Sequence, residues 1–221
     1  MKKTLVGKTV KLYKLTRRNK TTRGDNTSLY SGLSTNTYWE IGKPNRIDGI
    51  YRRPILCSNG VFHAYSHPLL ASLFRNTHVA GKNYSHLYEC EPAEVVVDDG
   101  TKVGTYKLTI SKRIPLEKLY KKDLRKIAIL TALRITRSKA IKELLNDKLH
   151  KNRKVSRPFE FVDSKILEVY MNTRFKSVDM ATFVYSLVRN RQYTRDYMDI
   201  IQRGAMMGID VVSIVKQVIG E

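Results

Sequence analysis

The side chains of this chain best suited to chemistry are gathered in one stretch. Four of its five histidines, His63, His67, His78 and His86, fall within 24 residues and are followed closely by Glu89, Glu91, Asp98 and Asp99. Imidazoles and carboxylates in such proximity are the raw material of a metal centre or of general acid–base hydrolysis. Their spacing argues against both. There is no HExxH and no HxH pair, the arrangements that place two ligands on one face of a helix or strand. His67 precedes Pro68 and reads as a turn residue, and His63, between Phe62 and Ala64, as a core or edge residue. No metal and no cofactor is expected, and a metal-dependent nuclease stands only as an alternative. In Glu89-Cys90-Glu91 the alternation of a strand turns the two carboxylates to solvent and Cys90 inward.

The charge distribution says more. Lys and Arg number 41 against 20 Asp and Glu, a net +21. Residues 1–23 carry nine bases and no acid, and residues 112–157 carry sixteen bases and four acids. These two stretches hold the entire excess; the remaining residues balance. Self-repulsion on this scale disfavours a compact state unless a polyanion neutralises it, and a phosphate backbone is the commonest polyanion in a cell. Lys118, Lys121, Lys122 and Arg125 fall at i, i+3, i+4 and i+7 and are expected to share a helical face. Solvated faces usually mix signs, and this one is almost purely positive. The candidate phosphate-contacting residues are therefore Arg17, Arg18, Lys20 and Arg23 in the arm, Lys118, Lys121, Lys122, Arg125 and Lys126 on the first long helix, and Lys151, Arg153, Lys154 and Arg157 in a basic linker. Such contacts position a nucleic acid without reading its sequence. Tyr13, Tyr51 and Tyr120 stand beside basic residues, where ordinary packing competes with stacking on unpaired bases. No helix-turn-helix, homeodomain, RNA-recognition or zinc-finger pattern is present.

Composition bounds the rest. Hydrophobic residues make up 42% of the chain, enough for a folded core. No apolar run approaches the ~18 residues of a membrane span. The first residues lack the apolar core and cleavage site of a signal peptide. Two cysteines without CxxC spacing suit neither a zinc framework nor a disulfide scaffold, and fit a reducing cytosol.

The pattern along the chain predicts an α+β protein, with an N-terminal β-rich module over 1–114 followed by a basic C-terminal helical bundle over 115–221. Residues 9–16 alternate like a half-buried strand. Residues 19–48 read as loops around Tyr38-Trp39. Two strands are expected on either side of a Ser58-Asn59-Gly60 hairpin turn, and two more joined at Asp98-Asp99-Gly100. A short helix should start at Pro68. Beyond Pro115 helices are expected over 116–136, 138–150, 163–174, 177–191 and 195–219, the last broken near Gly204. Asp163, Ser177 and Thr194 serve as N-caps and Gly220 as the final stop. Phe183, Val184, Leu187 and Val188 would put helix 177–191 at the centre of the bundle, and residues 150–158 would form the linker.

Two resemblances add to this. Glu89-Cys90-Glu91 at a strand end resembles the Glu-x-Glu element of ADP-ribosyltransferases, whose last carboxylate polarises a ribose hydroxyl. Where those enzymes hold the cofactor with Arg or His, this chain offers Lys14 or Arg17. More extensive is the order LYKLT (12–16), Trp39 with Gly42, LCSNGVFHAYSHPLLASLF (56–74), His78, LYECEP (87–92), VDDGTKVGTYKLT (97–109), Ile114-Pro115-Leu116 and IAILTA (127–132). It resembles a family of small proteins encoded by tailed bacteriophages that has no established activity. That resemblance, covering roughly residues 10–135, implies a phage protein acting in the cytoplasm of the infected bacterium and carries over no catalytic residue. Two non-enzymatic roles fit: binding DNA or RNA as an accessory or host-takeover factor, or docking on a host ribonucleoprotein, nuclease or defence complex. No membrane partner is expected.

Overall fold

The computed structural model describes residues 4–17, 21–27, 34–47, 54–56, 60–75, 84–137, 139–150 and 194–221. The expected helices over 163–174 and 177–191 lie outside the described residues, as do Asp163, Ser177, the linker from 151 onward, Cys57, Ser58-Asn59, His78 and Tyr51. The described chain mixes antiparallel sheets with helices, an α+β architecture, and divides into two compact units, Met1–Leu119 and Tyr120–Glu221.

In chain order the first unit contains β1 (Thr9–Val10), β2 (Tyr13–Arg17), β3 (Thr21–Thr27), β4 (Ser34–Tyr38), β5 (Pro44–Arg46), β6 (Phe62–Ala64), helix α1 (Pro68–Phe74), β7 (Tyr84–Cys90), β8 (Ala93–Glu94), β9 (Val97–Asp98), β10 (Val103–Thr105) and β11 (Lys107–Ile114). A four-stranded sheet in the order β2-β7-β11-β5 forms its centre, beside a three-stranded sheet β6-β10-β9 and the pairs β1-β8 and β3-β4. The period-2 run at 9–16 breaks at Lys11-Leu12, so β1 pairs with β8 and β2 with β7. The polar stretch 19–48, expected to be loops, instead contains β3, β4 and β5. Thr-rich segments satisfy each other's backbone groups in a ladder without needing an apolar face, and β-branched threonine favours that geometry. The hairpin expected around Gly60 is not seen among the described residues. Pro54–Leu56 are not in a strand, and β6 takes β10 as its partner, pairing His63 with Gly104.

The turn at Asp98-Asp99-Gly100 is present and joins β9 to β10. Gly100 has φ +87°, a conformation that glycine adopts without steric cost. Asp99 Oδ1 accepts from the Thr101 amide (2.8 Å), the Thr101 hydroxyl (2.7 Å) and the Lys102 amide (3.0 Å). Burial pushes the Asp99 carboxyl up, but these donors, with the Lys102 charge, outweigh it and hold it below the ordinary range.

Leu12, Trp39, Ile47, Phe62, Ala64, Tyr88, Cys90, Val95, Val103, Leu108 and Ile110 form the core of this unit. Trp39 meets Phe62 edge to face at 5.3 Å. A lysine is packed among these residues. Lys14, on β2 opposite Tyr88, is 3% exposed; its Nζ donates to the His63 carbonyl at 2.7 Å and lies 4.9 Å from the Trp39 ring centre. The ring face and the carbonyl replace part of the ammonium's lost hydration.

The second unit contains α2 (Lys121–Ile135), α3 (Lys139–His150), α4 (Thr194–Met206) and α5 (Val211–Ile219). Thr194 opens α4, and Gly220 ends α5 in the left-handed conformation with its amide on the Lys216 carbonyl. The break expected near Gly204 lies after Met206 instead, at Gly208, whose φ is +86°. Gly204 stays helical because α2 crosses α4 there: a Cβ on it would collide with Thr131 Cγ2. Around this crossing Ile127, Ala128, Ile129 and Ala132 are buried with Ile141, Leu145, Tyr197, Ile200, Ile201, Ile214 and Val215.

Two stability measurements check these contacts. Gly204→Ala would raise helix propensity by about 1 kcal/mol on an exposed face. Here it is expected to lower the urea-unfolding free energy, because overpacking costs about 1–3 kcal/mol, and Thr131→Ser in the same chain should restore part of the loss. Lys14→Met keeps the volume but deprives the His63 carbonyl of its donor, and is expected to destabilise by about 1–3 kcal/mol.

Candidate nucleic-acid interface

The described histidines and carboxylates of the first unit are dispersed into structural roles. His67 caps α1, its Nδ1 accepting from the Leu69 amide at 3.1 Å. His63 lies half-buried in β6 and gives its carbonyl to Lys14. His86, opposite Thr16 in the ladder, stands edge-on to Tyr88 at 6.3 Å. Among the described residues no group of three His, Cys, Asp or Glu side chains could hold a metal ion.

Glu89 and Cys90 point to opposite faces of β7, as strand alternation requires. Glu89 Oε2 is 2.9 Å from Lys11 Nζ and 3.6 Å from Lys112 Nζ. The hydrogen bond from Lys11 is the main reason its carboxyl sits below the ordinary range; partial burial opposes this, and the two lysine charges reinforce it. Cys90 is buried, and burial pushes its thiol up to about 12 against the pull of the Lys14 charge. A thiol so disposed is a packing group and not a nucleophile. Glu91 is exposed, with its amide donating to the Thr109 carbonyl. Lys14, where an ADP-ribosyltransferase would hold its cofactor, is enclosed by Trp39 and His63.

The predicted basic residues fall into three groups. Arg17 ends β2 and Arg23 lies within β3, but the structure describes the backbone alone at both. Arg18, Lys20, Lys151, Arg153, Lys154 and Arg157 lie outside the described residues. The third group, Lys118, Lys121, Lys122, Arg125 and Lys126, is visible in full and corrects the expected face. Lys118 is exposed but precedes the helix, which begins at Lys121 and not at 116 because Tyr120 is its N-cap. The Asp123 carboxylate accepts from the Tyr120 amide at 2.8 Å and fixes that start. Projected onward, the face bearing Lys121 and Arg125 continues into Ala128, Ile129 and Ala132, all buried. The cationic stripe is therefore confined to the first two turns. Arg125 is half-buried and reaches across to α3, with Nη2 3.5 Å from the Lys148 carbonyl. Lys148 itself is 4% exposed, and its ammonium is held below the ordinary range by burial first and by the Arg125 charge second, against the pull of Asp147.

The exposed cations continue beyond that stripe. Lys121, Lys122, Lys126 and Arg134 on α2, Arg137 after it, and Lys139 and Lys142 on α3 are all exposed. Among the described residues none of them is in an ion pair. The exposed acids of this segment are Glu143 and Asp147, and Asp123 is engaged by the Tyr120 amide. The one-signed run at 134–142 was available in the sequence as a continuation of the same charge bias. A second cationic spot was not: Lys107 on β11 lies directly opposite Arg46 on β5, both exposed, with no ion-pair partner among the described residues. Like charges directly opposed on a sheet are destabilising, and their pairing follows from a register between strands sixty residues apart. Comparison with protein families, with curated proteins and with solved structures yields no match.

Proposed function

We propose that this protein binds nucleic acid through the phosphate backbone, with the outer faces of α2 and α3 as its principal contact. One observation carries the reading: seven exposed cations on adjoining segments of 121–142 that have no carboxylate partner among the described residues. Short-range ion pairing would have been an easy way to relieve their repulsion, and the described residues do not use it. A chain of phosphates relieves it from outside, releasing counterions as it binds. The like-charged Lys107–Arg46 pair adds a smaller site of the same kind on the β-rich module. In full the reading is of a phage-encoded protein in the cytoplasm of its bacterial host, a β-rich module followed by a basic helical bundle, acting as an accessory or takeover factor without enzymatic activity. No helix among the described residues is long and apolar enough to cross a membrane.

If eight to ten side chains meet phosphates, affinity for a mixed-sequence oligonucleotide should fall by roughly three to five decades between 50 and 200 mM salt. Replacing Lys121, Lys122, Lys126 and Lys142 together with Ala should weaken binding to all sequences alike and flatten the slope by about three to four phosphates. Arg125 is kept, since its loss would disturb α3. A flat salt response, or capture from lysate that survives nuclease digestion, would transfer the basic face to an acidic protein partner.

A further inference from the structure

Tyr120 presents an exposed aromatic ring at the start of the basic helical segment. It is 52% exposed, so burial does not account for an aromatic ring there. It is the N-cap of α2, a place favouring Ser, Thr, Asp or Asn, whose side chains accept from the first amides. Contacts of its backbone fix the helix start: Asp123 Oδ2 accepts the Tyr120 amide, and the Tyr120 carbonyl accepts from the amides of Asp123 and Leu124, each at 3.0 Å. The backbone beneath the ring is thus fixed. Lys121 and Lys122, the next two residues, are exposed, with Lys122 Nζ 5.9 Å from the ring centre.

A ring exposed on a fixed backbone, with ammonium groups on the next two residues, has the composition of a single-strand binding platform. The lysines meet the phosphates while the aromatic face receives a base, and every base offers a π-face for this. A duplex keeps its bases stacked on each other and offers the ring nothing but backbone. We propose that Tyr120 stacks on an unpaired base, so that the nucleic acid this protein prefers is single-stranded. This rests on the phosphate-binding reading and narrows it to a substrate class.

The test is fluorescence anisotropy at fixed salt with two labelled probes, a 20-nucleotide oligo-dT and a 20-base-pair duplex. The wild type should bind the single strand more tightly. Tyr120→Ala should lose roughly 5- to 150-fold in affinity for oligo-dT while its affinity for the duplex stays within about twofold of the wild type. Tyr120→Phe, which retains the ring, should behave as the wild type. In Tyr120→Trp the added indole emission should fall on titration with oligo-dT. An unchanged thermal midpoint in all three variants would show that they fold. Equal affinity of Tyr120→Ala and wild type for oligo-dT, or equal losses on both probes, overturns the stacking proposal and leaves phosphate binding standing. Binding of neither probe by the wild type overturns both.

Discussion

The organisation of the helical unit depends on how α2 is packed. It contacts α3, α4 and α5, and its buried residues, Ile127, Ala128, Ile129, Thr131 and Ala132, span more than half of its circumference. A helix enclosed to that extent has few places for a charged side chain. Its lysines are accordingly pushed to the first two turns and to the outer stripe, and they meet those of α3 beyond the break at Thr136. Close packing at the interior end and concentrated charge at the open end are consequences of one constraint. The crossing with α4 is so tight that Gly204 has no room for a methyl group. The Thr131 hydroxyl avoids exposure there by donating to the Ile127 carbonyl of its own helix at 2.8 Å.

What could be read from the chain was whatever repeats at short range. The strand character of 9–16 and of the segment ending at Ile114, the Pro68 helix start, the Asp-Gly turn and the last two helices are each encoded within about a dozen residues. Long-range pairing was not legible. β6 follows an Asn-Gly signal that suggests a local hairpin, yet its partner is β10, forty residues onward, because that pairing places Phe62 and Ala64 in the core. Thr-rich β3 and β4 look like loop because neither carries an apolar run, and their pairing is a matter of register between backbones.

The cationic face was legible as composition and misplaced as geometry. Helical spacing grouped Lys118 with Lys121, Lys122 and Arg125, but spacing cannot tell where a helix begins or which part of a face a neighbouring helix covers. Among the described residues the buried lysines Lys14, Lys102 and Lys148 make the same point from the other side, since a count of positive charges includes them with those in solvent. Lys14 has a carbonyl and an aromatic ring as partners, and neither can be inferred from its neighbours in sequence, where it is one more base in a basic arm.

The ladder between β7 and β11 slips by one residue at Ser111: Ile110 pairs with Cys90 and Lys112 with Glu89. The Ser111 hydroxyl donates to the Glu89 carbonyl at 3.1 Å, anchoring the extra residue. Continued without the bulge, the strand would set Ser111 against Glu89 and Lys112 against Tyr88, on the side that carries Cys90 and Ile110. Glu89 would then keep Lys11 alone as counterion. A single serine thus acts as a phase shifter: it sets Lys112 on the Glu89 side, so that one carboxylate answers a cation from each of two strands.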